Sequence, residues 1–215
     1  MPLLLPLPAD ERVRRLAQLY CGLILYGFSS ALMIRGDLGL NPWDVLHQGL
    51  STITGVSIGN CTIGVGVAVL LLWIPLRQRP GLGTVSNAIL IGVAVDLSLL
   101  VLPEVSHLAG RIALLGVGIV GNGLATGLYI GAGLGPGPRD GLMTGIAARG
   151  HSIRVVRTGI EVTVLGLGWL LGGTAGAGTL AYALAIGPLA HVFIPLFTVG
   201  GAEPVQPPDT HASIP

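Results

Sequence analysis

Four ionisable residues stand where ionisable side chains are costly. Asp96 and His191 fall inside long apolar runs, and Asp44 and Asp140 open two copies of one short motif. An ionisable group at membrane depth is a functional candidate by default. Asp96 and His191 occupy corresponding positions 95 residues apart, so a two-fold relation between the halves would bring them together as a pair that shares or relays a proton. The plainer alternative gives each a local hydrogen bond. For Asp44 and Asp140 the two readings are helix capping, or a pair of gates or ion sites at opposite mouths of one pathway.

The motif reads LGLNPWDVLHQG from Leu38 to Gly49 and LGPGPRDGLMTG from Leu134 to Gly145. Pro42 and Pro138 suit the first position of a helix, where a missing N–H costs nothing. Asn41 and Gly137 then stand at the N-cap, and Asp44 and Asp140 fall in the first turn, near orphan N–H groups and the positive end of the helix dipole. Gly39 and Gly135 allow a sharp entry, and Gly49 and Gly145 close the shared pattern. The helices that follow are too short to span a bilayer, so they lie at its interface or enter it as re-entrant half-helices. Trp43 reads as an interface anchor and Arg139 as a cytoplasmic-loop charge, while His47, His107 and His151 read as surface residues.

The elements around these motifs are membrane spans. Of 215 residues, 51% are hydrophobic, 10% are charged and 35 are glycine, with mean hydropathy +0.79. Soluble domains carry about a quarter charged residues, which excludes an ordinary cytosolic enzyme. No basic patch suits nucleic acid. Cys21 and Cys61 give neither a disulfide framework nor a metal motif. Six apolar segments are candidate spans: 16–34, 58–76, 84–102, 111–131, 155–172 and 177–198. The fifth carries Arg157 and Glu161, spaced to pair on one helix face. All 11 basic residues are arginine. With the N-terminus inside, nine of them fall on the cytoplasmic side and only Arg35 and Arg111 outside, which places both termini in the cytoplasm.

The chain also repeats itself. Residues 15–50 match 111–146 at 13 of 36 positions, among them Arg15/Arg111, Gly39/Gly135, Pro42/Pro138 and Asp44/Asp140. Three spans per repeat invert the second copy across the bilayer, an arrangement that recurs in secondary transporters. The expected fold is therefore all-α: six transmembrane helices in two inverted three-helix repeats, 12–104 and 105–199, with short interfacial or re-entrant helices between disordered tails 1–11 and 200–215. Asn60, Asn87 and Asn122 read as interhelical hydrogen-bonding residues, and Gly123, Gly127 and Gly131 as a close-packing stripe.

The segments LGLNPWDVLHQGLSTITGVSIG and LGPGPRDGLMTG resemble the YczE branch of the YczE/YitT family of bacterial integral membrane proteins. The likeness covers residues 12–199 and is most specific in PWDVLHQGLS and GPGPRDGLM. It implies a multi-span α-helical protein of the bacterial cytoplasmic membrane, with no catalytic residues to carry over. The expected function is a small-molecule or ion permease with a site between the repeats. The alternative is a non-transporting accessory, assembly or sensor subunit that works with a protein partner. A homodimer through the glycine stripe is a further association. No nucleotide, metal or nucleophile constellation points to a cofactor or an enzyme.

Overall fold

The computed structural model describes residues 10–200. Eight helices follow one another: α1 (Arg12–Gly36), α2 (Pro42–Thr54), α3 (Ile58–Leu76), α4 (Leu82–Val101), α5 (Leu108–Gly131), α6 (Pro138–Ala147), α7 (Ile153–Leu170) and α8 (Ala177–Phe197). No strand occurs among the described residues. The expected tails at 1–11 and 200–215 lie mostly outside them.

Five helices, α1, α3, α4, α5 and α8, are long and apolar enough to cross a membrane. The sixth expected span is the exception. It forms the 18-residue α7, but Arg154, Arg157 and Glu161 leave it outside that class. Leu71, Leu100, Val117, Leu170 and Leu184 are all exposed on the outer faces of the helices. An apolar exterior of this extent is stable in lipid and not in water.

The two motif copies start short helices as expected. Pro42 and Pro138 are the first residues of α2 and α6, with Asn41 and Gly137 at the N-caps. The Asn41 side chain accepts the Asp44 backbone N–H at 3.0 Å and donates to Asp44 Oδ2 at 2.5 Å. Gly39 and Gly135 hold φ of +120° and +114°, backbone that favours glycine. An Asn41→Ala substitution is expected to cost about 1 kcal/mol, the usual loss of a helix cap. Thermal unfolding in detergent measures it.

The core is the crossing of α1 and α5, where Leu19, Leu23, Tyr26, Ala125 and Tyr129 are buried with Ile91 and Val95 of α4. The two helices run antiparallel, since Gly22 meets Ala125 and Tyr129 while Gly118 meets Ser29 and Met33. These contacts exchange under a shift of 96 residues. So do the latches at either end. Arg15 donates to the carbonyl of Ala132 at 2.9 Å, and Arg111 to the carbonyl of Gly36 at 2.8 Å. The Gly83 N–H meets the Leu134 carbonyl at 2.8 Å, and the Gly178 N–H meets that of Leu38 at 2.7 Å. Arg15 also donates to Asp10 at 2.7 Å, a bond that holds the Asp10 carboxyl below its ordinary range.

The exchange fails in one place. α3 packs along α4, but no comparable interface joins α7 to α8. The reason is legible in the side chains. Gly59 of α3 faces Gly92 and Asp96 of α4, and Gly66 faces Ala88. At the corresponding positions of α7 stand Arg154 and Glu161. A helix surfaced with glycine approaches its neighbour closely, and one surfaced with long charged side chains does not. The stripe Gly123, Gly127 and Gly131 packs against Leu189, Phe193 and Phe197 of α8. It is therefore covered within the chain and does not form a dimer surface.

Candidate functional site

The N-termini of α2 and α6 converge beside Tyr26, midway along α1. Arg139, the second residue of α6, donates to the Tyr26 hydroxyl, and its guanidinium carbon lies 5.2 Å from the centre of the Tyr26 ring. Two cavities flank this point. One holds about 380 Å³ between α5, α6, α7 and α8, and is walled by Tyr26, Trp43, Tyr129, Arg139, Asp140 and Tyr182. The other holds about 40 Å³ between α2, α3 and α4, and includes Tyr26, Trp43, Asp44, His47, Thr62, Asn87 and Arg139. Tyr26, Trp43 and Arg139 belong to both.

The two cavities correspond. A shift of 95 or 96 residues carries Trp43, Asp44, His47, Thr62, Gly66, Asn87, Ala88 and Ile91 of the small cavity onto Arg139, Asp140, Met143, Arg157, Glu161, Tyr182, Ala183 and Ile186 of the large one. The tenfold difference in volume follows from the helices around them. Tight α3–α4 packing fills most of the first, and the lack of an α7–α8 interface leaves the second its volume.

Each acid of the motif is held differently. Asp44 is 5% exposed; its carboxylate accepts from the Asn41 side-chain amide and meets His47 Nδ1 at 3.3 Å, while its backbone N–H donates to Asn41 Oδ1. Asn41 is thus the cap and Asp44 braces it, and the same His47 Nδ1 lies 3.1 Å from Thr62 Oγ1. Asp140 faces the large cavity and accepts from the Tyr129 hydroxyl at 3.3 Å. Among the described residues no carboxylate forms an ion pair with Arg139; Arg157, across the cavity, pairs with Glu161 at 3.0 Å.

Asp96 and His191 are not brought together. Asp96 accepts from the Ser57 hydroxyl at 2.6 Å and from the Gly59 N–H at 2.8 Å, fastening the start of α3 to α4. His191 lies exposed on α8, and no hydrogen bond or ion pair joins it to Asp96. Among the other motif residues, Gly49 packs on the Gly168 carbonyl of α7 and Gly145 on Gln78, while the Pro138 carbonyl accepts from Trp73 Nε1 at 2.9 Å.

Three surface readings are overturned. Trp43 is 6% exposed and lines both cavities, so it is no interface anchor. His47, also 6% exposed, is tied between Asp44 and Thr62. Arg139 lies in the molecular centre and not in a cytoplasmic loop, because the loop 132–137 carries the start of α6 inward. Tyr26, Tyr129 and Tyr182 escape sequence reasoning because they come from three different apolar helices. Asn122 does act between helices, accepting from the Tyr182 hydroxyl at 2.9 Å. Among the described residues no group of three or more His, Cys, Asp or Glu could hold a metal ion.

Apolar helices around a central polar cavity define an all-helical integral membrane protein. Residues 13–195 match a family of unknown function, DUF6198, and the chain belongs to that family. It is 36% identical over 189 residues to the uncharacterized membrane protein YczE of Bacillus subtilis, covering 86% of this chain and 88% of that protein. An uncharacterized protein of Haemophilus influenzae is 40% identical over 173 residues, covering 80% and 79% respectively. YyaS of Bacillus subtilis is 30% identical over 182 residues, covering 81% and 90%. No solved structure matches significantly.

Proposed function

We propose that this protein is a small permease of the bacterial cytoplasmic membrane whose solute binds in the large central cavity. Its two halves, 12–104 and 105–199, are inverted repeats, with α7 completing six spans and both termini in the cytoplasm. The observation that carries the reading is the pair of corresponding cavities on either side of Trp43 and Arg139, one small and one large. Such a pair is what a carrier needs if it exposes one site to two compartments in turn. In carriers of inverted-repeat design, short helices whose N-termini meet near the bilayer midplane hold the solute. α2 and α6 supply that geometry here. Asp96 then serves as a latch: through Ser57 and Gly59 it holds α3 against α4 on the side of the small cavity.

Reconstituted protein is expected to catalyse solute uptake into liposomes. Arg139→Gln is expected to remove uptake, while Asp96→Ala changes the maximal rate and leaves the apparent KM within about twofold, since Asp96 does not line the solute cavity. Uptake that survives Arg139→Gln would displace the site from the cavity. A raised KM in the Asp96 variant would make Asp96 a solute ligand.

The second reading is a one-sided binding or accessory subunit. It is favoured by Arg154 and Glu161, which oppose closure of α7 on α8. Solute binding without uptake, together with co-purification of a stoichiometric partner protein, distinguishes it.

A further inference from the structure

We infer that the large cavity binds a small organic monocarboxylate, its carboxylate on Arg139 and its apolar body along α8. The inference rests on the cavity being the solute site and adds the chemistry of the solute.

The charges around Arg139 point to an anion. A guanidinium held in a protein interior needs compensation, and its planar donors suit a carboxylate bidentately. The neighbouring acids are otherwise engaged. Asp44 is spent on its cap and on His47, Glu161 on Arg157, and Asp140 on Tyr129 and the positive end of α6. Among the described residues the direct contacts of the guanidinium are the hydroxyl and ring of Tyr26, while Asp44 and Asp140 act on it through space with no ion pair. A second donor also lacks a partner. Trp43 lines the cavity at 6% exposure, and its indole Nε1 has no acceptor among the described residues.

The volume points to an organic body. About 380 Å³ falls within the range of small-molecule sites, roughly 300–1,000 Å³. A halide or phosphate would leave most of it empty. Ile186, Ala190 and Ile194 of α8 and Met143 of α6 give the cavity an apolar wall.

The test is binding to the purified full-length chain in lipid nanodiscs, by calorimetry and by the rise in unfolding temperature. The probes are 3-phenylpropanoate, its neutral amide, the matching 3-phenylpropylamine, and chloride and phosphate salts. The carboxylate is expected to bind alone among them. Arg139→Gln is expected to weaken it at least tenfold, and Arg139→Lys to weaken it less. Ala190→Phe, which fills the cavity and leaves the charges alone, is expected to abolish binding in a protein that unfolds near the parental temperature. Equal binding of the amide, preferential binding of the amine, binding unchanged in Arg139→Gln, or no binding of the carboxylate would each overturn the inference. Carboxylate binding without flux would overturn the permease and leave the anion site standing. Flux of a neutral solute without carboxylate binding would do the reverse.

Discussion

Arg15→Met is expected to lower stability by about 3 kcal/mol, although the residue stands in the first turn of α1. Most arginines at a helix start reach water, and this one is 3% exposed. Its guanidinium donates to the carbonyls of Ala132 at 2.9 Å and Val199 at 3.0 Å, as well as to Asp10. These carbonyls lie just past the ends of α5 and α8, where helices leave acceptors unsatisfied. Removing the guanidinium strands both of them, each worth about 1–3 kcal/mol when buried. Methionine keeps most of the apolar stem, so the loss reports the hydrogen bonds and not the packing. Lysine cannot span the same acceptors with one ammonium, so Arg15→Lys is expected to recover less than half of the loss. Arg14→Met supplies the control. Its side chain is 61% exposed and pairs only with Glu11, so a change within about 0.5 kcal/mol is expected. Thermal unfolding in detergent reads all three. A neutral Arg15→Met would mean that water or lipid headgroups satisfy those carbonyls without it.

Gly59→Leu is the second large effect, and it acts on the side of the small cavity. A Cβ at this position would run into the Gly92 carbonyl oxygen and the Asp96 carboxyl, and a leucine adds three carbons beyond it. The backbone of α4 cannot yield as a flexible side chain would, so α3 must move away. Overpacking of this kind costs about 3 kcal/mol. It also pulls Ser57 and Gly59 away from Asp96, which undoes the proposed latch. The expected result is a less stable protein whose small cavity widens, read as faster thiol labelling of a cysteine placed at Ala88, a buried residue that lines that cavity, in a chain whose Cys21 and Cys61 are replaced by serine. Gly64→Ala separates crowding from the loss of a glycine. A Cβ at Gly64 meets nothing within 4 Å, so helix propensity makes that change neutral or stabilising by up to about 1 kcal/mol. Should Gly59→Leu behave like Gly64→Ala, the closeness of α3 and α4 would not matter to the fold.

Much of this architecture was legible in the chain. Span positions follow from hydropathy because lipid leaves a backbone little choice but helix. The starts of α2 and α6 follow from Asn41, Pro42, Gly137 and Pro138, since caps are local chemistry. The correspondence of the halves follows from matched glycines, prolines and aspartates. What escaped was set by distance. The cavity draws Tyr26, Trp43, Tyr129, Arg139 and Tyr182 from five helices, and only Trp43 and Arg139, counterparts in the duplicated motif, are linked by spacing along the chain. Trp43 and Arg139 were misread because tryptophan and arginine usually mark membrane interfaces and cytoplasmic loops, and only a re-entrant path makes them interior.

The sequence alone therefore determined the class of protein, the positions of its helices and the caps of α2 and α6. Hydropathy, proline and glycine act within a few residues, so a one-dimensional pattern carries them. The tertiary structure alone decided which counterparts differ. Glycines let α3 close on α4, Arg154 and Glu161 keep α7 from α8, and a guanidinium without a carboxylate partner is left facing the space between.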